Sequence, residues 1–255
     1  MDTVDSFITS SLMEYESEDA GRHFSFGSSF NPCPRQVMYG SVGNGAKAKL
    51  TFYKRYRKSI SGVIRKVVQR TWARQGLLWG DWRCADLKCG VTYQNSRLEG
   101  GICIRCGSPA QYSEKIFDDP GFRGRCDAIV FHPGMDGYLI FKLKSRNTNV
   151  ILRVEEPYPS DVCHASACAT LLAREKWLRV IGRVVLWVGT PKPVPYKHWY
   201  YPGIGDEVYE DFLQRVQEVS GKMARGEEIK GFCYTAEDVP YNCPYGKDCF
   251  GEDFV

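Results

Sequence analysis

Between residues 126 and 144 two largely apolar, β-prone runs flank a cluster of polar and turn-forming residues. Cys126, Ala128 and Val130, followed by Phe131, make a short β-prone run, and His132, Pro133, Gly134, Met135, Asp136 and Gly137 supply turn residues. A second run, 138–144, resumes as a strand, so the pattern predicts a β-hairpin. Side chains alternate across a strand, which places Leu139, Phe141 and Leu143 on one face and Lys142 and Lys144 on the other. Further along, Val184, Val185, Leu186, Trp187 and Val188 form an unbroken apolar run, the mark of a strand covered on both sides, predicted over 183–189. Val208, Phe212, Val216 and Val219 recur at helical spacing and predict an amphipathic helix over 206–225. Asp206 can cap that helix, and Glu207, Glu210 and Asp211 suit the positive end of its dipole.

The hairpin also carries chemistry. Asp127 lies on its first strand and two lysines near the end of its second, so Asp127, Lys142 and Lys144 can meet in one cleft. The competing reading makes Lys142 and Lys144 ordinary solvent-facing residues of an edge strand, where lysine discourages aggregation.

At 255 residues the chain can bury a sizeable core, as one large domain or one domain with an insertion. No run of about 18 apolar residues occurs, and the first residues lack a basic segment followed by an apolar one. The expectation is a soluble protein with no membrane partner, cytoplasmic or nuclear and not secreted. The formal charge of +4 is unevenly distributed. Residues 47–74 hold Lys47, Lys49, Lys54, Arg55, Arg57, Lys58, Arg65, Lys66, Arg70 and Arg74 with no acid, interleaved with Phe52, Tyr53, Tyr56 and Trp72. Such a stretch is a nucleic-acid track or a solvated helix face.

Eleven cysteines in a chain with no export signal point to metal before disulfides. Cys84-x4-Cys89 and Cys103-x2-Cys106 are separated by 13 residues, the arrangement that closes a tetrahedral four-thiolate zinc site within a small ribbon-like module at 81–110. A closed site has no open position for substrate, so its role is folding. Cys33 near the start and Cys233, Cys243 and Cys249 near the end can hold a [4Fe-4S] cluster or a second zinc, or be unconnected thiols. Cys126, Cys163 and Cys168 read as buried thiols.

Taken together, these motifs resemble the RecB-like exonuclease branch of the PD-(D/E)xK nuclease superfamily, in particular its CRISPR-associated and phage iron-sulfur members. The resemblance covers most of the chain. Cys33-Pro34-Arg35 with Tyr39 is similar to the opening motif, 61–76 to the helix that follows, Glu114 to an acid preceding the G-x-x-D strand, and Gly124 to Asp127 to that strand itself. It implies a helix over 160–176 and a strand over 196–201. It further implies an α/β, restriction-endonuclease-like mixed central sheet flanked by helices. The divisions are an N-terminal helical part (1–80), a zinc-binding insertion (81–110), a nuclease core (111–202) and a C-terminal helix with a cysteine-rich tail (203–255).

The activity the resemblance implies is metal-dependent DNA cleavage, at ends or single strands, in recombination, repair or viral replication. Asp127 and a second acid would bind Mg²⁺ or Mn²⁺, Lys144 would position water, Glu114 would support metal or substrate, and Cys33, Cys233, Cys243 and Cys249 would ligate the iron-sulfur cluster. DNA, single-stranded or as duplex ends, would be guided by Arg35, Tyr39, Lys54, Arg55, Arg57, Lys58 and His164, and protein partners are compatible with the same surface. The chain departs from the pattern where it matters most: Lys142 stands where the second acid is wanted. It also has Lys66 where relatives carry a histidine or acid, and His164-x3-Cys168 where they carry Gln-x3-Tyr. A lysine beside a divalent ion opposes metal binding, so the expectation is a nuclease scaffold with impaired catalysis, or a non-catalytic DNA-binding or assembly protein on the same fold.

Overall fold

The computed structural model describes residues 52–119, 122–175, 178–190 and 196–228, together with Val4. Its elements run α1 (Phe52–Arg74), β1 (Leu78–Cys84), β2 (Thr92–Arg97), β3 (Ala110–Ser113), β4 (Ile116–Asp119), β5 (Phe122–Arg125), β6 (Ala128–His132) and β7 (Gly137–Asn147). They continue with α2 (Thr148–Arg153), α3 (Pro159–Arg174), β8 (Val180–Thr190), β9 (Tyr196–Pro202) and α4 (Asp206–Ala224).

The architecture is α/β: a mixed central sheet with helices on both faces. Its strands run in the order β2-β1-β6-β7-β8-β9, with β3 also paired to β1. The hairpin expected from the alternation is β6–β7, antiparallel, with Ala128 opposite Phe141 and His132 opposite Gly137. A parallel β7–β8 pair follows, from Tyr138 opposite Val180 to Asn147 opposite Thr190, and α3 makes the crossover that parallel pairing requires. β7 is therefore an interior strand, which removes the edge-strand reading of its lysines.

Period-two alternation along β7 decides what each face touches. Leu139, Phe141 and Leu143 join Val68 and Trp72 of α1, Ala128 and Val130 of β6, and Val184 and Leu186 of β8 in one core. The rings of Trp72 and Phe141 lie 4.5 Å apart at its centre. Ile140, one position out of phase, packs on the opposite side with Ile129, Ala167, Leu171 and Leu172 of α3, and Tyr209 and Phe212 of α4. The apolar run of β8 serves both layers, with Val184 and Leu186 in the first core and Val185 and Trp187 in a smaller cluster with Ile151. At the outer pair, Gly182 is needed for close approach, because a Cβ there would sit 2.5 Å from the Tyr200 ring.

The strands and helices expected over 160–176, 183–189, 196–201 and 206–225 are present as α3, β8, β9 and α4, with ends differing by a few residues. The cysteine-bearing segment is joined to the sheet more closely than a separate insertion would be. β1 pairs with β6 through Leu78 and Trp79, then carries β2 on one edge and β3 on the other, so a division at 80/81 falls inside a strand. No described helix is long and apolar enough to cross a membrane.

Candidate functional site

Asp127 lies one step before β6, with its side chain beside that of Lys142 on β7. Its carboxylate is 3 % exposed and fully engaged. Lys142 Nζ lies 3.2 Å from Oδ2, the Leu143 backbone N–H donates to the same oxygen at 2.9 Å, and Arg65 Nη1 donates to Oδ1 at 3.0 Å. Burial opposes ionisation of Asp127, but the charges of Lys142 and then Arg65 outweigh it and bring the carboxyl down to about 2.

Arg65 also lies 3.3 Å from Glu114 Oε1, to which Gln69 Nε2 donates at 3.1 Å. Gln69 additionally donates to the Asp127 carbonyl, and Ser61 shares a hydrogen bond with Ser145. Ser61, Arg65 and Gln69 are four residues apart on α1, so one helical stripe lines the end of the hairpin while Val68 and Trp72 hold the same helix in the core. Burial pushes the Glu114 carboxyl up, partly offset by Arg65.

Beyond Lys142 the same face of β7 carries Lys144 and Arg146. These turn toward Asp161 of α3, which is 3 % exposed. Arg146 Nη2 donates to Asp161 Oδ2 at 3.1 Å, Trp187 Nε1 donates to that oxygen at 3.1 Å, and Lys144 Nζ is 3.9 Å from Oδ1. The Arg146 guanidinium lies over two rings, 4.7 Å from Tyr158 and 4.8 Å from Trp187. Burial, then repulsion from Lys142, lowers the Lys144 ammonium below its ordinary range.

His164, expected at a nucleic-acid surface, is instead buried at 4 % exposure, with Nδ1 3.7 Å from Cys168 Sγ. Burial at this depth does not fit direct strand contact by the imidazole. Cys126, Cys163 and Cys168 are buried free thiols, as expected. Burial opposes ionisation of Cys168, yet its hydrogen bond with Cys126 and the neighbouring His164 bring it down to about 5.

Asp127 and Glu114 approach a single Arg65 nitrogen, a spacing at which two carboxylates can share a divalent cation. The donor set as it stands does not fit Mg²⁺ or Mn²⁺. Both Asp127 oxygens are bonded to cations, and two positive side chains already balance the two acids. A divalent ion ~4 Å from the Lys142 ammonium would meet about 8 kcal/mol of repulsion at an effective dielectric of ~20.

The second candidate site is the cysteine cluster. Cys84, Cys89, Cys103 and Cys106 place their sulfurs within 4.8 Å of one another. Cys84 and Cys106 are 3.5 Å apart and Cys89 and Cys103 3.8 Å, close to the ~3.8 Å edge of a tetrahedron with Zn–S bonds of ~2.3 Å. Each pair ends in a glycine of positive φ, Gly90 at 60° and Gly107 at 74°, the left-handed conformation that turns the chain back toward the metal position. Cys103 N–H donates to Ser108 O at 2.8 Å and Gly107 N–H to Cys103 O at 2.9 Å, which fixes the second turn. The four thiolates could hold a metal such as zinc.

Asp127 and Lys142 thus meet as expected, Glu114 joins them through Arg65 and Gln69, and Lys144 is drawn toward Asp161. Cys33, Arg35, Tyr39, Cys233, Cys243 and Cys249 lie outside the described residues, as do the side chains of Lys54, Arg55, Arg57 and Lys58. Sequence reading passed over Gln69, Asp161 and Arg146, and treated Arg65 only as one of many basic residues. The four-residue spacing of Ser61, Arg65 and Gln69 was the available signal. Comparison of the chain with protein-family models, with curated proteins and with solved structures gives no match.

Proposed function

We propose that this chain is a DNA-binding protein built on a PD-(D/E)xK-type nuclease core, whose hydrolytic site is closed in the chain as it stands, so that it cleaves slowly or not at all. The observation that carries the reading is the Lys142–Asp127 ion pair at 3.2 Å, with a lysine occupying the position where a second metal-binding acid is wanted. Supporting it are the order of elements, a helix, an antiparallel hairpin, a helix and a strand parallel to the hairpin's second strand, and the placement of Glu114 beside Asp127. In this reading Arg65 and Lys142 neutralise the two acids that an active relative would offer to a cation. Lys144 and Arg146 keep the cleft positive for phosphate. Zinc on Cys84, Cys89, Cys103 and Cys106 holds β1, β2 and β3 together and takes no part in chemistry.

The test is cleavage of end-labelled single- and double-stranded DNA with Mn²⁺, comparing the chain with Lys142→Glu. Cleavage by the Glu variant alone supports a nuclease site closed by Lys142. Mn²⁺-dependent cleavage by the unaltered chain as fast as by the Glu variant sinks the proposal. If both bind DNA with a steep salt dependence and neither cuts, the protein is a recognition module on this core.

A further inference from the structure

Next to the site, the loop entering α3 presents one aromatic ring to solvent in a fixed attitude. Tyr158 is 43 % exposed, and the prolines Pro157 and Pro159 flank it. Its ring stands 5.0 Å from that of Trp187, which is fully buried, and 4.7 Å from the Arg146 guanidinium, which is itself held by Asp161. The segment between α2 and α3 that carries the ring is tied down from β9, where Lys197 Nζ donates to Val154 O and Trp199 Nε1 to Glu155 O, each at 2.6 Å. The ring is therefore backed by a buried indole and a paired arginine, with its orientation settled before any ligand arrives.

Cations lead from the hairpin to this ring. Lys142, Lys144 and Arg146 follow one another at every second position on one face of β7, spanning roughly 13 Å. Asp127 engages Lys142 and Asp161 engages Arg146, each near 3 Å, whereas Lys144 reaches Asp161 only at 3.9 Å and keeps 41 % of its side chain exposed. Glu155 and Glu156, both exposed, come just before the ring in the chain, and their carboxylates disfavour phosphate along that segment, whereas the Lys144 ammonium attracts it.

We infer that Tyr158 is a stacking platform for an unpaired base, with the adjoining phosphate held by Lys144, so that the ligand class is single-stranded nucleic acid. A flat exposed ring accepts any base through its π-face, but a base inside a duplex offers no free face. This inference rests on the nucleic-acid-binding reading above and adds to it the strand state that is recognised.

The experiment measures affinities of the full chain for oligo-dT, oligo-rU and a blunt duplex at low salt, with Tyr158→Ala and Tyr158→Phe beside the unaltered protein. Tyr158→Ala is expected to weaken single-strand binding about ten-fold and duplex binding less than roughly two-fold, while Tyr158→Phe, which keeps the ring, stays near the unaltered value. Loss confined to oligo-dT or to oligo-rU also supports the platform and assigns the sugar. Equal loss on single strand and duplex, or no loss at all, overturns the platform while leaving nucleic-acid binding in place. If the unaltered chain binds none of the three probes, the underlying reading fails and the platform with it.

Discussion

Lys142 Nζ lies 3.2 Å from Asp127 Oδ2 with only 10 % of the lysine side chain and 3 % of the aspartate exposed. A pair this deeply placed is costly to break, because each charge would be left with little water. Arg65 on the other carboxylate oxygen makes the arrangement a cation–acid–cation triad, so the same contacts hold α1 to the hairpin.

Lys142→Met should lower stability at pH 7 by about 2–4 kcal/mol, below the cost of a wholly unpaired buried charge because Arg65 and the Leu143 N–H remain on Asp127. Urea unfolding checks this. Lys142→Glu should be destabilised without metal and raised in Tm by Mn²⁺, while the unaltered chain shows no Mn²⁺ shift, since only a native state that binds the ion is stabilised by it.

The acid limb of the stability curve should carry the signature of Asp127. Its folded pKa is depressed from 3.8 to about 2, so its contribution is fully present above the unfolded value and is lost as pH falls through the folded one. The stake is about 2 kcal/mol, at 1.36 kcal/mol per unit. Stability attributable to this group should therefore be flat above about pH 5 and fall toward pH 2, and Asp127→Asn should flatten that part of the curve. An unchanged acid slope in Asp127→Asn would count against the triad.

Removing one of the four clustered cysteines should act on the module locally. Cys103→Ser should lower bound zinc by about one ion per chain and speed amide exchange in β2 and β3, which among the described residues pair only with β1, while β6 to β8 stay protected. Elemental analysis with hydrogen-exchange mass spectrometry reads both effects. Unchanged zinc content would show that the four thiolates are not its ligands.

Gly182→Ala should cost about 1–3 kcal/mol by forcing Tyr200 away from β8. Thermal unfolding should show the loss, and pairing it with Tyr200→Ala, which clears the space, should recover part of it.

Much of the sheet was legible because its signals are local. Leu139, Phe141 and Leu143 against Lys142 and Lys144 fixed the two faces of β7, and the run from Val184 to Val188 marked a strand covered on both sides. The helix over α4 was equally plain from Val208, Phe212, Val216 and Val219, of which Phe212 and Val219 are buried. The cysteine cluster was legible too, since a short spacing within each ligand pair brings two thiols to one turn whatever the rest of the chain does.

The site was only half written there. Asp127 and Lys142 could be paired on paper because a hairpin register determines its own cross-strand neighbours. That Arg65, 62 residues earlier, would take the other oxygen of Asp127 depended on how α1 docks, and nothing local distinguishes it from Lys66 beside it. His164 was readable either as a phosphate contact or as a satisfied helix histidine, and its burial favours the second, because the buried face of α3 includes polar residues.

Sequence alone determined the periodicities, hence the strand faces, the helices, the acid and lysines of the hairpin and the four thiols of the module. Tertiary structure alone decided which charges neutralise one another, that β1 ties the cysteine module into the sheet, and that Tyr158 stands on Trp187 and Arg146. The reason is range: backbone alternation and turn chemistry act over a few residues, whereas an ion pair or a ring stack between distant segments exists only after helices and strands have packed.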